Sequence, residues 1–271
     1  MDRELWVCDA GTIGYGSALA LQEQIREARQ AGLVPDVMLL LEHPSVYTRG
    51  RRSEPGELTM GVDWYRSQGI EIFDTRRGGK VTYHGPGQLV GYPIVEVDDV
   101  VGYVRLLERA LITALSEEGI EARARADEGP AFTGVWVQER KIASIGVHVS
   151  RGVTTHGFAL NVDNDMRPFD WVVACGLPDV RMTSVAAEKG RVGPDGLGRA
   201  VGLGGAVGLG GAGTAGPVGP GGETGLMPQV RERVSLAVAQ TLGRRRQPVT
   251  LERLRRQAAS GSEVGAGLAG G

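Results

Sequence analysis

A chain of 271 residues with 41% hydrophobic content can bury one sizeable core, yet no stretch of about 18 apolar residues runs uninterrupted, which excludes an apparent membrane-spanning helix. Thirty Lys+Arg against 32 Asp+Glu leave a net charge of -2, so no global field is present to gather nucleic acid or an anionic membrane. Residues 1–10 carry three acids and lack the basic-then-apolar pattern of an export signal, while Cys8 and Cys175 lack CxxC spacing. A cytoplasmic protein without a disulfide scaffold or zinc site is the expectation.

In chain order, residues 17–30 place Leu21, Ile25 and Ala28 on one helical face and stop at Gly32. Residues 37–41 (VMLLL) form an apolar run ending at His43-Pro44, suited to a buried strand leaving a sheet. Strands are predicted over 81–83 and 89–97, around the turn His84-Gly-Pro-Gly87, and a helix over 103–117 with Val104, Leu107, Leu111 and Leu115 at helical spacing. Residues 134–149 read as a hairpin with Gln138-Glu139-Arg140 at its tip. The alternation of strands and helices predicts an α/β domain, a mixed sheet flanked by helices. Between Gly190 and Gly225, 16 of 36 residues are glycine, which predicts a flexible insertion. A closing helix is expected from about 227 to 242, followed by a mobile tail ending GSEVGAGLAGG. The organisation read from these signals is a catalytic domain at 1–189, the insertion at 190–225, the closing helix at 226–245 and a basic, then glycine-rich tail at 246–271.

Four groups are candidates for chemistry. Arg77-Gly78-Gly79-Lys80 combines backbone that can approach a ligand closely with two cations, and equally suits a solvated turn. His84, beside its Gly-Pro-Gly turn, is either a hydrogen-bonded structural residue or a catalyst. Cys175 ends an apolar run that breaks at Gly176-Leu177-Pro178, where a thiol is either inert core or a nucleophile exposed on one side. Lys141 opens the run Ile142-Ala143-Ser144-Ile145-Gly146; it either snorkels to water or lies buried, accepting a proton or stabilising a thiolate. Cys8 reads as core, and the spacing of the histidines, His148 and His156 included, suggests no metal set.

Taken together and in order, four segments resemble the lipoyl(octanoyl) transferase family of the lipoate ligase and biotin ligase superfamily. They are Leu41-Glu-His-Pro-Ser-Val-Tyr-Thr-Arg-Gly50, Arg77-Gly-Gly-Lys-Val-Thr-Tyr-His-Gly-Pro-Gly-Gln88, Lys141-Ile-Ala-Ser-Ile-Gly146 with Thr155-His-Gly-Phe-Ala-Leu-Asn161, and Ala174-Cys-Gly-Leu177 with Met182-Thr-Ser184. The resemblance spans about Leu5 to Val185. It implies a biotin/lipoate protein ligase-like catalytic domain with an acyl tunnel. The activity it implies is transfer of an octanoyl group from octanoyl acyl carrier protein to a lysine of lipoyl domains, in 2-oxoacid dehydrogenases and the glycine cleavage H protein, without ATP or metal. By the same resemblance Cys175 is the nucleophile, Lys141 its partner, and Arg77, Gly78, Gly79, Lys80, Val81, Thr82, Tyr83, His84, Ser144, Ile145, Gly146, Gly157, Phe158 and Ala159 bind substrate; a monomer is implied as well.

The residue types fit that chemistry. A thiolate exchanges with a thioester directly, an amine then attacks the acyl-enzyme, and glycine-flanked backbone N–H groups near Gly146 or Gly176 are candidates to stabilise the oxyanion, a placement the sequence leaves open. The chain departs from the family pattern after Ser184, with the glycine-rich insertion and a basic cluster (Arg244-Arg-Arg246, Arg253, Arg255-Arg256) that reads as a solvated terminal helix or a contact for an acidic carrier. Two other functions remain open at this point: an ATP-dependent lipoate or biotin ligase whose lysine binds an acyl-adenylate, and a non-catalytic protein that binds acyl carriers or lipoyl domains.

Overall fold

The computed structural model describes residues 3–173, 176, 180–191 and 225–266. The predicted strand at VMLLL becomes β2 (Asp36–Glu42) and is buried on both faces because helices cover both. Its alternate residues divide between two cores: Met38 and Leu40 pack with α3 (Val100–Ser116) and α5 (Leu226–Thr241), while Val37, Leu39 and Leu41 pack with α1 (Tyr15–Gln30) and α6 (Leu251–Ala266). A continuous apolar run is what a strand sandwiched in this way requires.

The main sheet grows outward from that strand. β1 (Glu4–Thr12) lies parallel on one side of β2, and β6 (Gln88–Ile94) lies antiparallel on the other. Beyond β6 come β10 (Val153–Asn161), β9 (Arg140–Ser150), β8 (Gly134–Val137) and β7 (Arg123–Ala124), all antiparallel to their neighbours. Where β10 ends, the short β11 (Arg181–Met182) takes its place beside the start of β9, pairing Met182 with Lys141. A small second sheet, β4 (Glu71–Asp74), β3 (Val46–Arg49) and β5 (Thr82–His84), carries the segment that follows Arg77-Gly-Gly-Lys80. The short helices α2 (Val62–Ser67) and α4 (Val185–Arg191) lie between these elements in sequence.

Helix α3 begins at Asp99, whose carboxylate accepts from the N–H groups of Val101 and Gly102, both at 3.0 Å, in the manner of an N-cap. The hairpin tip falls where the sequence places it, with Gln138 at φ 52°. The glycine-rich segment between Gly190 and Gly225 lies almost wholly outside the described residues.

The tail differs from expectation. Residues expected to be mobile instead form β12 (Arg245–Pro248), which pairs in parallel with β1, and α6, which runs to Ala266. The physical reason is an apolar stripe, Leu251, Leu254 and Ala258, that packs against the α1 face; Leu254 is fully buried beside Trp6 and Ile25. The arginines read as a solvated cluster are largely engaged. Arg244 donates to buried Asp36 at 2.8 Å, Arg245 pairs with Glu4, Arg246 pairs with Glu232 at 2.6 Å, and Arg253 lies 4.9 Å above the Trp6 ring.

Docking of α6 through one fully buried leucine makes Leu254→Ala the direct test. The substitution is expected to lower the unfolding free energy by about 2–5 kcal/mol, read from urea denaturation. A midpoint equal to that of the wild type would show that the helix is not part of the core.

Candidate active site

A cavity of about 500 Å³ opens at the junction of the two sheets. One wall is the loop Arg77–Lys80 and the side chains of Thr82 and His84; another is β9 from Lys141 through Ser144, Ile145 and Gly146; a third is Gly157, Phe158 and Ala159 of β10. Three segments far apart in sequence are thus brought to one space, as the sequence reading requires. Val81 and Tyr83 are the exceptions. Strand side chains alternate, so with Thr82 and His84 facing the cavity, Val81 and Tyr83 turn into the aromatic cluster of Tyr47, Tyr65 and Phe169, where they pack. Their side chains do not line this cavity.

Small residues let the walls meet. A Cβ at Gly146 would lie 2.9 Å from the Gly78 oxygen, closer than any side chain tolerates, and Gly78 N–H donates to the Val147 oxygen at 2.9 Å across the same contact. The loop is held from below by Arg77, which is 7% exposed. Its guanidinium donates to the hydroxyl of Thr48 at 2.8 Å, to the Thr48 carbonyl at 2.5 Å and to the Lys80 carbonyl at 2.8 Å.

From Thr48 a buried hydrogen-bond chain crosses the site. Gln88 uses both amide hydrogens on the Tyr83 carbonyl (3.2 Å) and Asn161 Oδ1 (2.9 Å), so its oxygen accepts from His84 Nδ1 at 2.8 Å. That assignment leaves His84 Nε2 as an acceptor facing the Thr48 hydroxyl at 3.4 Å. Asn161 Nδ2 donates to the Thr183 carbonyl at 3.0 Å, and Thr183 N–H donates to the Lys141 carbonyl at 3.0 Å. Parts of all four sequence segments are joined by this one chain. Ser184 completes it by accepting from Ala187 N–H at 3.2 Å, which caps α4.

Lys141 is 2% exposed and reaches the cavity. Its amine lies 5.3 Å from the centroid of the Trp136 ring, and its stem occupies space that a side chain at position 134 would fill: a Cβ on Gly134 would sit 2.7 Å from Lys141 Cε. Snorkelling to water is therefore not what this lysine does. Cys175, the residue expected to partner it, lies outside the described residues. Val173, two residues before it, donates its N–H to the Glu57 carbonyl at 2.9 Å, and Gly176, the residue after it, lies against the Lys80 side chain with no room for a Cβ. Lys80 in turn pairs with Glu54 at 2.6 Å and Glu57 at 3.2 Å.

Other cavity residues escaped the sequence reading. Tyr15 and Tyr92 line it, as do Val100 and Val101 at the start of α3, which are 40% and 68% exposed. Two adjacent valines next to an Asp cap, outside the apolar stripe of the helix, were the available signal. Among the described residues no three His, Cys, Asp or Glu side chains gather in a way that could hold a metal ion.

The fold and this cavity define a protein–acyl ligase or transferase domain, and sequence comparison places it. Residues 14–195 match the family described as Lipoyl protein ligase A/B catalytic domain, and the chain belongs to that family. It is 52% identical over 192 residues to an octanoyltransferase of Solibacter usitatus, covering 69% of this chain and 85% of that one. It is 46% identical over 195 residues to an octanoyltransferase of Acidobacterium capsulatum, covering 66% and 78%. Among solved structures, lipoate-protein ligase A bound with ATP superposes with a TM-score of 0.65 at 17% identity, covering 96% of this chain and 94% of that one. The bipartite lipoate protein ligase of Thermoplasma acidophilum does so with 0.63 at 17% identity, covering 95% and 91%. At that identity the structures establish the fold alone.

Two buried imidazoles, His84 and His156, line the cavity and a third, His43, lies behind His84 with ring centroids 5.8 Å apart; burial keeps each neutral. His43 is held down to about 4, with Nδ1 donating to the Ile13 carbonyl and Nε2 accepting from Tyr92, both at 2.7 Å. His156 is held at about 3 by burial and then by the positive field of Arg77, and His84 lies well below its usual value through burial and then His43. In the unfolded chain these groups take up protons near 6.5, so the unfolded state binds more protons in the interval between. Stability is thus fully present above about pH 6.5 and falls as the pH drops, by about 1.4 kcal/mol per unit for each imidazole. Denaturant titrations are expected to show a loss of several kcal/mol between about pH 7 and about pH 5; equal stability at both would contradict neutral burial.

Proposed function

We propose that this chain, an acyltransferase that moves an octanoyl group in protein lipoylation, works through an acyl-enzyme on Cys175 without ATP. The donor is an octanoyl thioester of acyl carrier protein, and the acceptor is a lysine of a lipoyl domain, as found in 2-oxoacid dehydrogenases and the glycine cleavage H protein. The observation that supports this reading best is the position of Lys141. A lysine that is 2% exposed, with its stem packed beside Gly134 and its end in an apolar-walled cavity, has no solvent role. The contact of Gly176, the residue after Cys175, with Lys80, itself a cavity residue, supports the reading.

In the first half-reaction the Cys175 thiolate attacks the thioester carbon. The bond from that carbon to the carrier sulfur breaks, and the carrier leaves as a thiol after taking one proton. No activation step is needed, because one thioester replaces another. The ammonium form of Lys141 favours the thiolate, and an oxyanion on the thioester carbon calls for backbone N–H donors nearby. In the second half-reaction the acceptor amine attacks the same carbon. An amide bond forms, the bond to Cys175 sulfur breaks, and the amine proton passes through Lys141 to the departing thiolate.

The alkyl chain runs between Ile145, Phe158 and Ala159 on the sheet side and Val104 of α3, all of which line the cavity. Each methylene taken from water there contributes about 0.8 kcal/mol, so an eight-carbon chain is held mainly by its tail. No metal or nucleotide enters the proposed cycle, which one monomer in the cytoplasm completes.

Intact mass spectrometry after mixing the protein with octanoyl carrier protein, without ATP, tests this. A hydroxylamine-labile octanoyl adduct is expected on the wild type and none on Cys175→Ser. Lys141→Ala is expected to slow its formation by about two orders of magnitude or more. Labelling of a lipoyl domain only with ATP and free octanoate, unimpaired by Cys175→Ser, would replace the transferase mechanism with that of a ligase.

A further inference from the structure

Among the described residues many arginines have a carboxylate partner, Arg244, Arg245 and Arg246 of the tail included. Arg51, Arg52 and Arg76 do not: all three are exposed and none forms an ion pair among the described residues. They come from two segments that the fold binds side by side, since Arg51 N–H donates to the Arg77 carbonyl at 3.0 Å and Arg52 N–H to the Gly79 carbonyl at 3.1 Å. Arg52 lines the cavity while remaining exposed, so the group sits at its rim. The fields of Arg76 and Arg51 overlap on one neighbour: the His148 imidazole is depressed by burial and then by Arg76, with Arg51 and Arg26 adding to the effect against the opposing Glu23. The acids nearby are already occupied. Glu54 and Glu57 hold Lys80, Glu23 holds Arg26, and Asp74 holds Arg49.

Three unpaired guanidinium groups in a chain of net charge -2 concentrate positive potential where the cavity opens. The same rim exposes Val100 and Val101, an apolar lip beside the charges. A partner that fits must be acidic and must send a narrow arm carrying an acyl chain inward.

We propose that Arg51, Arg52 and Arg76 are the docking surface for the acidic face of the acyl-carrier donor and the phosphodiester that begins its arm. The assignment rests on the carrier-thioester donor proposed above. It also moves the carrier contact away from Arg244, Arg245 and Arg246, which pair with carboxylates within the fold.

The test compares two donors on the charge-reversal variant Arg51→Glu/Arg76→Glu, neither residue of which lines the cavity. With octanoyl carrier protein the KM is expected to rise about tenfold or more, and the dependence of KM on salt to flatten. With octanoyl-N-acetylcysteamine, a thioester with neither phosphate nor protein, turnover is expected to stay within about twofold of the wild type, since rim charges act on encounter and not on chemistry. An unchanged KM for the carrier, or equal losses with both donors, would overturn the docking surface while leaving the transferase mechanism in place. Failure of the wild type to accept octanoyl from either donor would instead remove the mechanism, and the docking surface with it.

Discussion

Burying a lysine side chain costs several kcal/mol unless its surroundings are shaped for it, and the region around Lys141 is organised by that constraint. Gly134 leaves the space its stem occupies, and Trp136 presents a ring face toward its amine. Glu108, itself 1% exposed, accepts from Gly134 N–H at 3.0 Å and so fixes the residue that makes the room. It is this position at the cavity wall on which the catalytic role proposed for Lys141 rests.

The backbone of Lys141 is fixed as firmly as its side chain. Strand β8 pairs with it on one edge and β11 on the other, and its carbonyl ends the hydrogen-bond chain that begins at Arg77. Chains of buried polar groups tolerate little displacement, because each loss leaves another group unsatisfied. The loop that covers the cavity, the imidazole at its inner end and the lysine at its wall are therefore linked by one hydrogen-bond chain. A site of this kind suits a reaction in which two different partners deliver and collect the same acyl group, since the receiving geometry stays constant while the partners change.

Much of this was legible in the sequence, for identifiable reasons. Helix α1 and helix α3 carry apolar residues at helical spacing, and the both-faces-buried β2 appears as an unbroken apolar run. The ordered segments ending at Lys141 and Arg77–His84 survive as the cavity wall. What escaped the reading depends on contacts that only the fold creates. An edge strand reading Arg-Arg-Gln-Pro looks like a charged tail until β1 is beside it, and the stripe Leu251, Leu254, Ala258 was masked by the arginines between. Val81 and Tyr83 sit inside a segment whose residues all seem equivalent, and only the two-residue period of β5 separates them. The Arg51, Arg52 and Arg76 cluster is invisible in sequence because only the fold brings the two segments together at the cavity rim.

The pairing of Lys141 with Cys175 is the centre of this account, and the pH dependence of alkylation at Cys175 measures it most directly. Cys8 gives no interfering signal, being fully buried with its thiol pushed up to about 11. With iodoacetamide the wild-type Cys175 is expected to titrate about one unit or more below the ordinary thiol value of about 8.5, and Lys141→Met is expected to return it to that value. Identical profiles for the two proteins would contradict the account, because an ammonium group that leaves the thiol unperturbed is not its partner.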